Sequence, residues 1–376
     1  MEYDSSLIFI INDDEIFKER DIDSKCFNFI NDKMSLVLSK YYVENKFTEN
    51  DKYETTNMVE NIRNAMIYRI KGLEWLDEST REYAIKKVLN IKYILGHTDN
   101  ILNAENLYNK YKFFEPKEDD DPMFLLLGSE NIYKYNSFQK IYNENYNEIE
   151  KQIEKIIDSN PSYKVNAFYN PWENLMIFPA AVFQSPNFDI NQPDYINYGN
   201  TGSIIGHELT HAFDDSGRSY DIEGKESNWW TDNDNEEFVE FSQCFIDQYN
   251  SYSFELEGEE YNVDGRRTLG ENLADNGGLD RAYKAWKLSI ENNPEKAKER
   301  NKLLPGLSNY TMDQLFYISY AHSRCEVGVS EYANDDEHAP GKSRVNGSVS
   351  NSERFAKIFN CPKKSPMNPD IKCVLW

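Results

Sequence analysis

A chain of 376 residues is long enough for one large or two ordinary domains, and at 39% hydrophobic and 14% aromatic it can bury a sizeable core. Its 65 acidic residues against 41 basic give a net charge of −24, which argues against nucleic acid or an anionic membrane surface as partner and leaves attraction for cationic peptides open. No stretch approaches the ~18 apolar residues of a membrane-spanning helix, and the start Met1-Glu2-Tyr3-Asp4 lacks the basic and apolar regions of a signal peptide.

Residues 1–25 are acidic and carry no motif. From Cys26 to about Asn90 apolar residues recur at helical spacing. Phe27, Ile30, Met34, Leu38 and Tyr41 form one stripe, and Met58, Ile62, Met66, Ile70 and Leu73 a second; both are expected to face the core. Ser79 followed three residues later by Glu82 predicts a capping box opening a helix through Leu89. Residues 95–122 are rich in Asn, Asp, Glu and Pro and read as a connection with short helices. Their acidic run Glu118-Asp119-Asp120-Asp121 has the wrong spacing for a calcium loop and is expected to be a solvated loop. Residues 123–158 read as helical.

At Lys164 the pattern changes. Val165–Tyr169 and Leu175–Phe178 are strand-like and flank the turn signal Asn170-Pro171-Trp172-Glu173-Asn174, predicting a hairpin. Its edge could take an extended peptide by strand addition. Next comes Gly206-His207-Glu208-Leu209-Thr210-His211. In this H-E-x-x-H stretch, His207 and His211 lie on one helical face and can point at one ion, with Glu208 beside it. Hydrolytic zinc sites take three protein ligands and keep one position for water. Glu271, in Leu269-Gly270-Glu271-Asn272-Leu273-Ala274-Asp275, supplies the third. Asp275, one helical turn on, can accept the free ring N–H of a ligand histidine and fix its tautomer. Further helices are expected over 229–252, from Glu271 to about Leu288, and over 312–324. His338 and Arg344 then fall in a Pro/Gly-containing loop.

These stretches, together with FPAAVFQSP (178–186), IIGHELTHAFDDSGR (204–218), EHAPGKSRVNG (337–347) and the ending CPKKSPMNPDIKCVLW, resemble the second half of the neprilysin and endothelin-converting-enzyme family of zinc metalloendopeptidases. The similarity is dense from about Val165 to Trp376 and thinner back to about Cys26. It implies a mainly α-helical fold: a thermolysin-like zinc metallopeptidase lobe with a small β-hairpin or sheet over 131–376, and part of a helical capping lobe over 1–130. It implies one zinc ion held by His207, His211 and Glu271, with Glu208, His338 and Asp275 catalytic. Asp336 would orient His338, and Asn166, Ala167 and Arg344 would bind the backbone of a small peptide substrate.

The resemblance further implies that Cys244 pairs with Cys373. Cys26, Cys325 and Cys361 would pair with cysteines of an N-terminal half that family members have and this chain lacks, which fits the odd count of five. Family members sit at the cell surface or are secreted, and the N-x-S/T sequons at Asn309 and Asn346 are compatible with that. Asn187 stands where the family usually has an aromatic residue, and Arg324 where it commonly has Trp, so the family's preference for a large apolar residue on the primed side is in doubt. Ile204 still offers an apolar wall. A non-catalytic zinc-binding remnant, or an incomplete fragment, is the competing reading.

Overall fold

The helix that carries the second apolar stripe shows how this chain builds its core. Thr48 caps it: the Asp51 amide donates to Oγ1 at 3.2 Å while the Thr48 amide donates to the Asp51 carboxylate at 2.8 Å, a reciprocal cap that satisfies two otherwise orphaned donors. Met58, Ile62, Met66 and Ile70 then fall every four residues, and all four, with Leu73 beyond the helix end, are at most 4% exposed. The computed structural model describes residues 27–28, 30–112, 156, 160–329, 333 and 335–376. Its elements are α1 (Ser35–Lys46), α2 (Glu49–Lys71), α3 (Glu78–Asn90), β1 (Lys92–Gly96), α4 (Ala104–Tyr111), β2 (Phe168–Asn170), β3 (Leu175–Pro179), α5 (Ser203–Thr210), α6 (Asp232–Asn250), β4 (Ser253–Leu256), β5 (Glu259–Asn262), α7 (Leu269–Asn292), α8 (Pro294–Arg300), α9 (Met312–Ser323), α10 (Gly341–Asn351) and α11 (Glu353–Ile358). The fold is mainly helical, as expected. Residues 1–25, the acidic run at 118–121 and nearly all of 123–158 lie outside the described residues, as does the expected domain boundary at 130.

By compactness the chain divides into two units. One comprises Met1–Glu44 and Asp99–Tyr163. In it Leu107 and Tyr111 of α4 are buried against Met34, Leu36 and Val37. Of the first apolar stripe only Met34 joins this packing, whereas Phe27 is 55% exposed and Tyr41 63%. The packing face runs through Val37 rather than Leu38 and Tyr41, a rotation of one residue about the helix.

The other unit, Asn45–Thr98 with Lys164–Trp376, holds every residue of the expected site. Strands β2 and β3 form the expected antiparallel hairpin, with Phe168 opposite Ile177 and Asn170 opposite Leu175. A third strand, absent from the sequence reading, completes the sheet: β1 lies parallel to β3, with Lys92 opposite Leu175 and Gly96 opposite Pro179. The order β1-β3-β2 buries all five residues of β3 and leaves β2 on an edge. Asn166 and Ala167 fall just before β2 rather than within it.

Helix α3 does not open on Ser79. Its N-cap is Asp77, and no side chain caps it. The Asp77 carboxylate is engaged elsewhere, accepting from Thr231 Oγ1 at 2.8 Å, while its amide donates to Asp234 at 2.8 Å. Two helix starts, those of α3 and α6, are thus tied to each other. The Cys244–Cys373 disulfide closes a sequence separation of 129 and fastens the C-terminal segment to α6. Trp376 then packs among Trp75, Phe213 and Trp230. Cys325 and Cys361 are free thiols; Cys26 lies outside the described residues.

Candidate metal centre

Two helices make the centre, and two glycines let them meet. Helix α5 carries His207, Glu208 and, at its end, His211; α7 carries Glu271 and Asp275. They cross at Gly206 and Gly278. A Cβ on Gly206 would sit 2.6 Å from the Gly278 carbonyl oxygen, and one on Gly278 would sit 2.5 Å from the His207 amide. Both contacts are to backbone, so no side chain can turn aside to make room. The crossing brings His207 Nε2 to 3.1 Å and His211 Nε2 to 3.5 Å from the two Glu271 carboxylate oxygens.

Each histidine is oriented from behind. Asp275 Oδ1 lies 2.9 Å from His207 Nδ1, and Asp214 Oδ2 lies 2.6 Å from His211 Nδ1. A carboxylate there takes the Nδ1 proton and leaves Nε2 with its lone pair. The two Nε2 atoms then face each other at 3.0 Å, lone pair to lone pair. That contact is repulsive unless a metal ion or a proton stands between them. Burial disfavours the protonated imidazole of His211, but Asp214, Glu271 and Glu208 outweigh it and raise the group to about 10. Two imidazole nitrogens and a carboxylate, with ligand atoms all within 4.8 Å of one another, are the donor set of a hydrolytic zinc site, and the residues fit that ion.

Glu208 is 5% exposed, and burial raises its carboxyl above the ordinary range against the pull of His207 and His211. Burial acts on Glu271 in the same direction, but the neighbouring histidines hold it well below that range. His338, whose side chain is 47% exposed, points Nε2 at Glu271 Oε2 at 3.0 Å and rests Nδ1 on Asp336 Oδ1 at 3.0 Å. Asp336 also accepts the His338 amide at 2.8 Å, a tight local turn that sets the ring. The hydrogen bond to Glu271 raises the imidazole above its usual value, with burial opposing it.

Asp275 is the hub. Besides His207 it accepts from Arg344 through Nε at 2.5 Å and Nη2 at 2.8 Å, and from Arg324 Nη2 at 3.2 Å. The three cationic or N–H neighbours keep this fully buried carboxylate well below the usual range, although burial alone would raise it. The expected residues His207, Glu208, His211, Glu271, Asp275, His338, Asp336 and Arg344 therefore converge. Arg344 lies in the first turn of helix α10 rather than in a loop. Asn166 is exposed, and its Oδ1 accepts its neighbour's Ala167 amide at 3.0 Å.

The sequence reading missed three supports. Asp214 stands three residues after His211, a spacing that could have flagged it. Arg324 was read as a pocket residue, and its bond to Asp275 has no local signal. Lys87 in α3 is fully buried and donates to the carbonyls of Ala212 at 2.8 Å, Gly217 at 2.8 Å and Tyr220 at 2.6 Å. Burial lowers it to about 7, with Asp214 and Asp221 acting against that. Three acceptors match the three N–H of an ammonium, and the Phe213 and Trp229 rings lie 5.6 Å away. Lys87 thus folds the turn that presents Asp214 to His211. Lys87→Met leaves those carbonyls unmatched, and we expect it to cost about 3 kcal/mol in a denaturant titration and to weaken metal binding about 10-fold through His211.

Comparison with known proteins finds matches to a family model, to curated relatives and to solved structures. The profile of peptidase family M13 matches residues 166–375, and that family's N-terminal profile matches 13–98. The chain is 38% identical to an endothelin-converting enzyme homolog of Locusta migratoria over 93% of its length, and 36% identical to human neprilysin over 94%. It spans 46% of each of those relatives. Among solved structures it is similar to a zinc metalloprotease of Mycobacterium tuberculosis in its open state, with a TM-score of 0.78 and 25% identity, covering 99% of this chain and 55% of that one.

Proposed function

The chain belongs to peptidase family M13, and from that we propose that it is a zinc-dependent endopeptidase that hydrolyses internal bonds of small peptides. The observation that carries the proposal is the pair of histidine Nε2 atoms facing each other at 3.0 Å beside Glu271, with buried Glu208 next in the chain. His207, His211 and Glu271 would hold the ion. Zinc, when bound there, supplies a Lewis acid for the scissile carbonyl and brings a water toward a pKa of about 7.

The protein's own groups do the rest. Glu208, its pKa raised by burial, takes the proton from the attacking water and delivers it to the leaving amine. His338 Nε2 turns from Glu271 to donate to the developing oxyanion, and Asp336 keeps the ring aimed. Arg344 is fixed edge-on by Asp275, so its remaining donors meet the substrate carbonyl on the primed side without reorganisation. The free edge of β2, preceded by Asn166 and Ala167, takes the extended substrate backbone.

The Cys244–Cys373 bridge supports an oxidising compartment, and we place the protein at the cell surface or outside the cell. No helix among the described residues is long and apolar enough to cross a membrane. The test of the ligand set is elemental analysis. Purified protein carries about one zinc per chain, and His207→Ala loses it. Full occupancy in that variant would remove His207 from the set.

Arg324 bears on specificity. Its guanidinium shares Asp275 with Arg344, and its Nε is buried with no partner. Arg344 also has Glu271 Oε2 at 3.8 Å, but the only acid paired with Arg324 among the described residues is the shared Asp275, and a guanidinium at this position favours an acidic or polar substrate side chain over an apolar one. We expect a weaker preference for Phe and Leu on the primed side than in the family, restored by Arg324→Trp. Profiling of cleavage sites in a peptide library reads this directly; a strong Phe/Leu preference in both proteins would show that Arg324 does not shape the pocket.

A further inference from the structure

Two N-x-S/T sequons play no part in the peptidase chemistry: Asn309-Tyr310-Thr311 and Asn346-Gly347-Ser348. A similar stretch, Asn160-Pro161-Ser162, is excluded by its proline. Asn-linked glycosylation needs accessible backbone, with the carboxamide and the hydroxyl two residues on presented together to one transferase. The fold treats the two sequons oppositely.

Asn346 is half-buried within helix α10, where residues i and i+2 do not face each other. Its partner Ser348 is 3% exposed, and the hydroxyl donates to the Arg344 carbonyl at 2.9 Å. Gly347 between them packs so closely on α6 that a Cβ there would lie 2.3 Å from Tyr249 Oη. A glycan on Asn346 would also stand two residues from Arg344, which is bound to Asp275.

Asn309 lies in the non-helical segment between α8 and α9, exposed, and its carboxamide makes no hydrogen bond among the described residues. Two turns shape that segment: the Leu307 amide donates to the Leu304 carbonyl at 3.1 Å, and the Tyr310 amide to the Leu307 carbonyl at 3.0 Å. Thr311 then has extended backbone, φ −75° and ψ 160°, the conformation in which residues i and i+2 share a face. Its Oγ1 accepts the Gln314 amide at 3.1 Å as the N-cap of α9. The hydroxyl proton engages no acceptor among the described residues and is free to be donated. Leu303, Leu307 and Tyr310 on the same segment are exposed apolar side chains, which a bulky, solubilising glycan would cover.

We propose that Asn309 is the glycosylated residue of this chain and that Asn346 is not modified. The proposal rests on the reading that the protein is exported, which the Cys244–Cys373 bridge supports. In the transfer, Asn309 Nδ2 bonds to the anomeric carbon of an oligosaccharide carried on a lipid pyrophosphate. The bond from that carbon to the pyrophosphate oxygen breaks, the lipid pyrophosphate leaves, and the Nδ2 proton passes to a base of the transferase. The test is the full chain expressed behind a cleavable secretion signal in a eukaryotic cell and mapped by mass spectrometry with and without enzymatic glycan removal. The parent carries about one glycan per chain, on Asn309. Asn309→Gln loses it while keeping the parent's zinc content and peptide turnover. Thr311→Ser keeps both cap and glycan. Thr311→Asp keeps the cap of α9, and with it the melting temperature, but loses the glycan, so the hydroxyl's part in modification separates from its part in folding. An unmodified Asn309 in the exported parent, a glycan on Asn346, or a glycan retained in Thr311→Asp each overturns the proposal. A chain glycosylated at Asn309 that binds no zinc would overturn the peptidase reading and leave this one standing.

Discussion

Glu208→Gln retains about one zinc per chain and loses roughly 10²- to 10⁴-fold of its peptidase kcat, the usual contribution of a positioned general base. The amide fills the same buried space, and none of the three ligand side chains changes, so metal content and fold stay as they are. What disappears is the group that can hold the proton between attack and leaving-group departure. Metal content and turnover of small peptides, measured on one preparation, separate that role from ligation. Undiminished turnover with full zinc would take Glu208 out of the mechanism. A parent protein that binds zinc and cleaves nothing would favour the reading as a zinc-binding remnant.

Loss of the Cys244–Cys373 bridge destabilises the fold by about 5 kcal/mol, from the chain entropy that a closed separation of 129 residues removes from the unfolded state. That is comparable to the whole stability of many domains. Urea titration of Cys244→Ala against the parent, or of the parent with and without reductant, measures it. The effect reaches the site. Trp376, three residues past Cys373, has its ring centroid 5.3 Å from that of Phe213, two residues after His211. A change under about 1 kcal/mol would mean that the C-terminal segment holds its place by packing alone.

How much of this was legible in the sequence depended on the distance between partners. His207 and His211 announce themselves because a helix fixes their relation within one turn. Glu271 and Asp275 needed a second segment, but the same i, i+4 spacing marked them. The hairpin β2–β3 is local and carries its turn signal. Strand β1 pairs in parallel with a strand some eighty residues later, and nothing near Lys92–Gly96 records that partner. The cap of α3 went to Asp77 rather than Ser79 because Thr231 and Asp234, distant in sequence, engage it. The stripe from Phe27 to Tyr41 holds only in part, with Met34 packed and Phe27 and Tyr41 exposed, since period alone does not say which neighbour a helix will meet. Lys87 reads as an ordinary helix lysine, and only the folded turn reveals its three acceptors. The disulfide was legible only through resemblance, as cysteine counts leave several pairings open.

The glycine crossing of α5 and α7 also bears on how the protein can diversify. Its ligand geometry is set by two backbones in contact, so it does not depend on the hairpin β4–β5 that interrupts the chain between them. That hairpin turns at Glu257 and Gly258, both with positive φ, and a side chain at Gly258 would meet nothing within 4 Å. Its tip is therefore a place where new sequence can be added without moving the histidines relative to Glu271. Insertions there can change the outer surface of the protein while the ligand geometry stays constant, whereas a single methyl group at the crossing alters the centre itself.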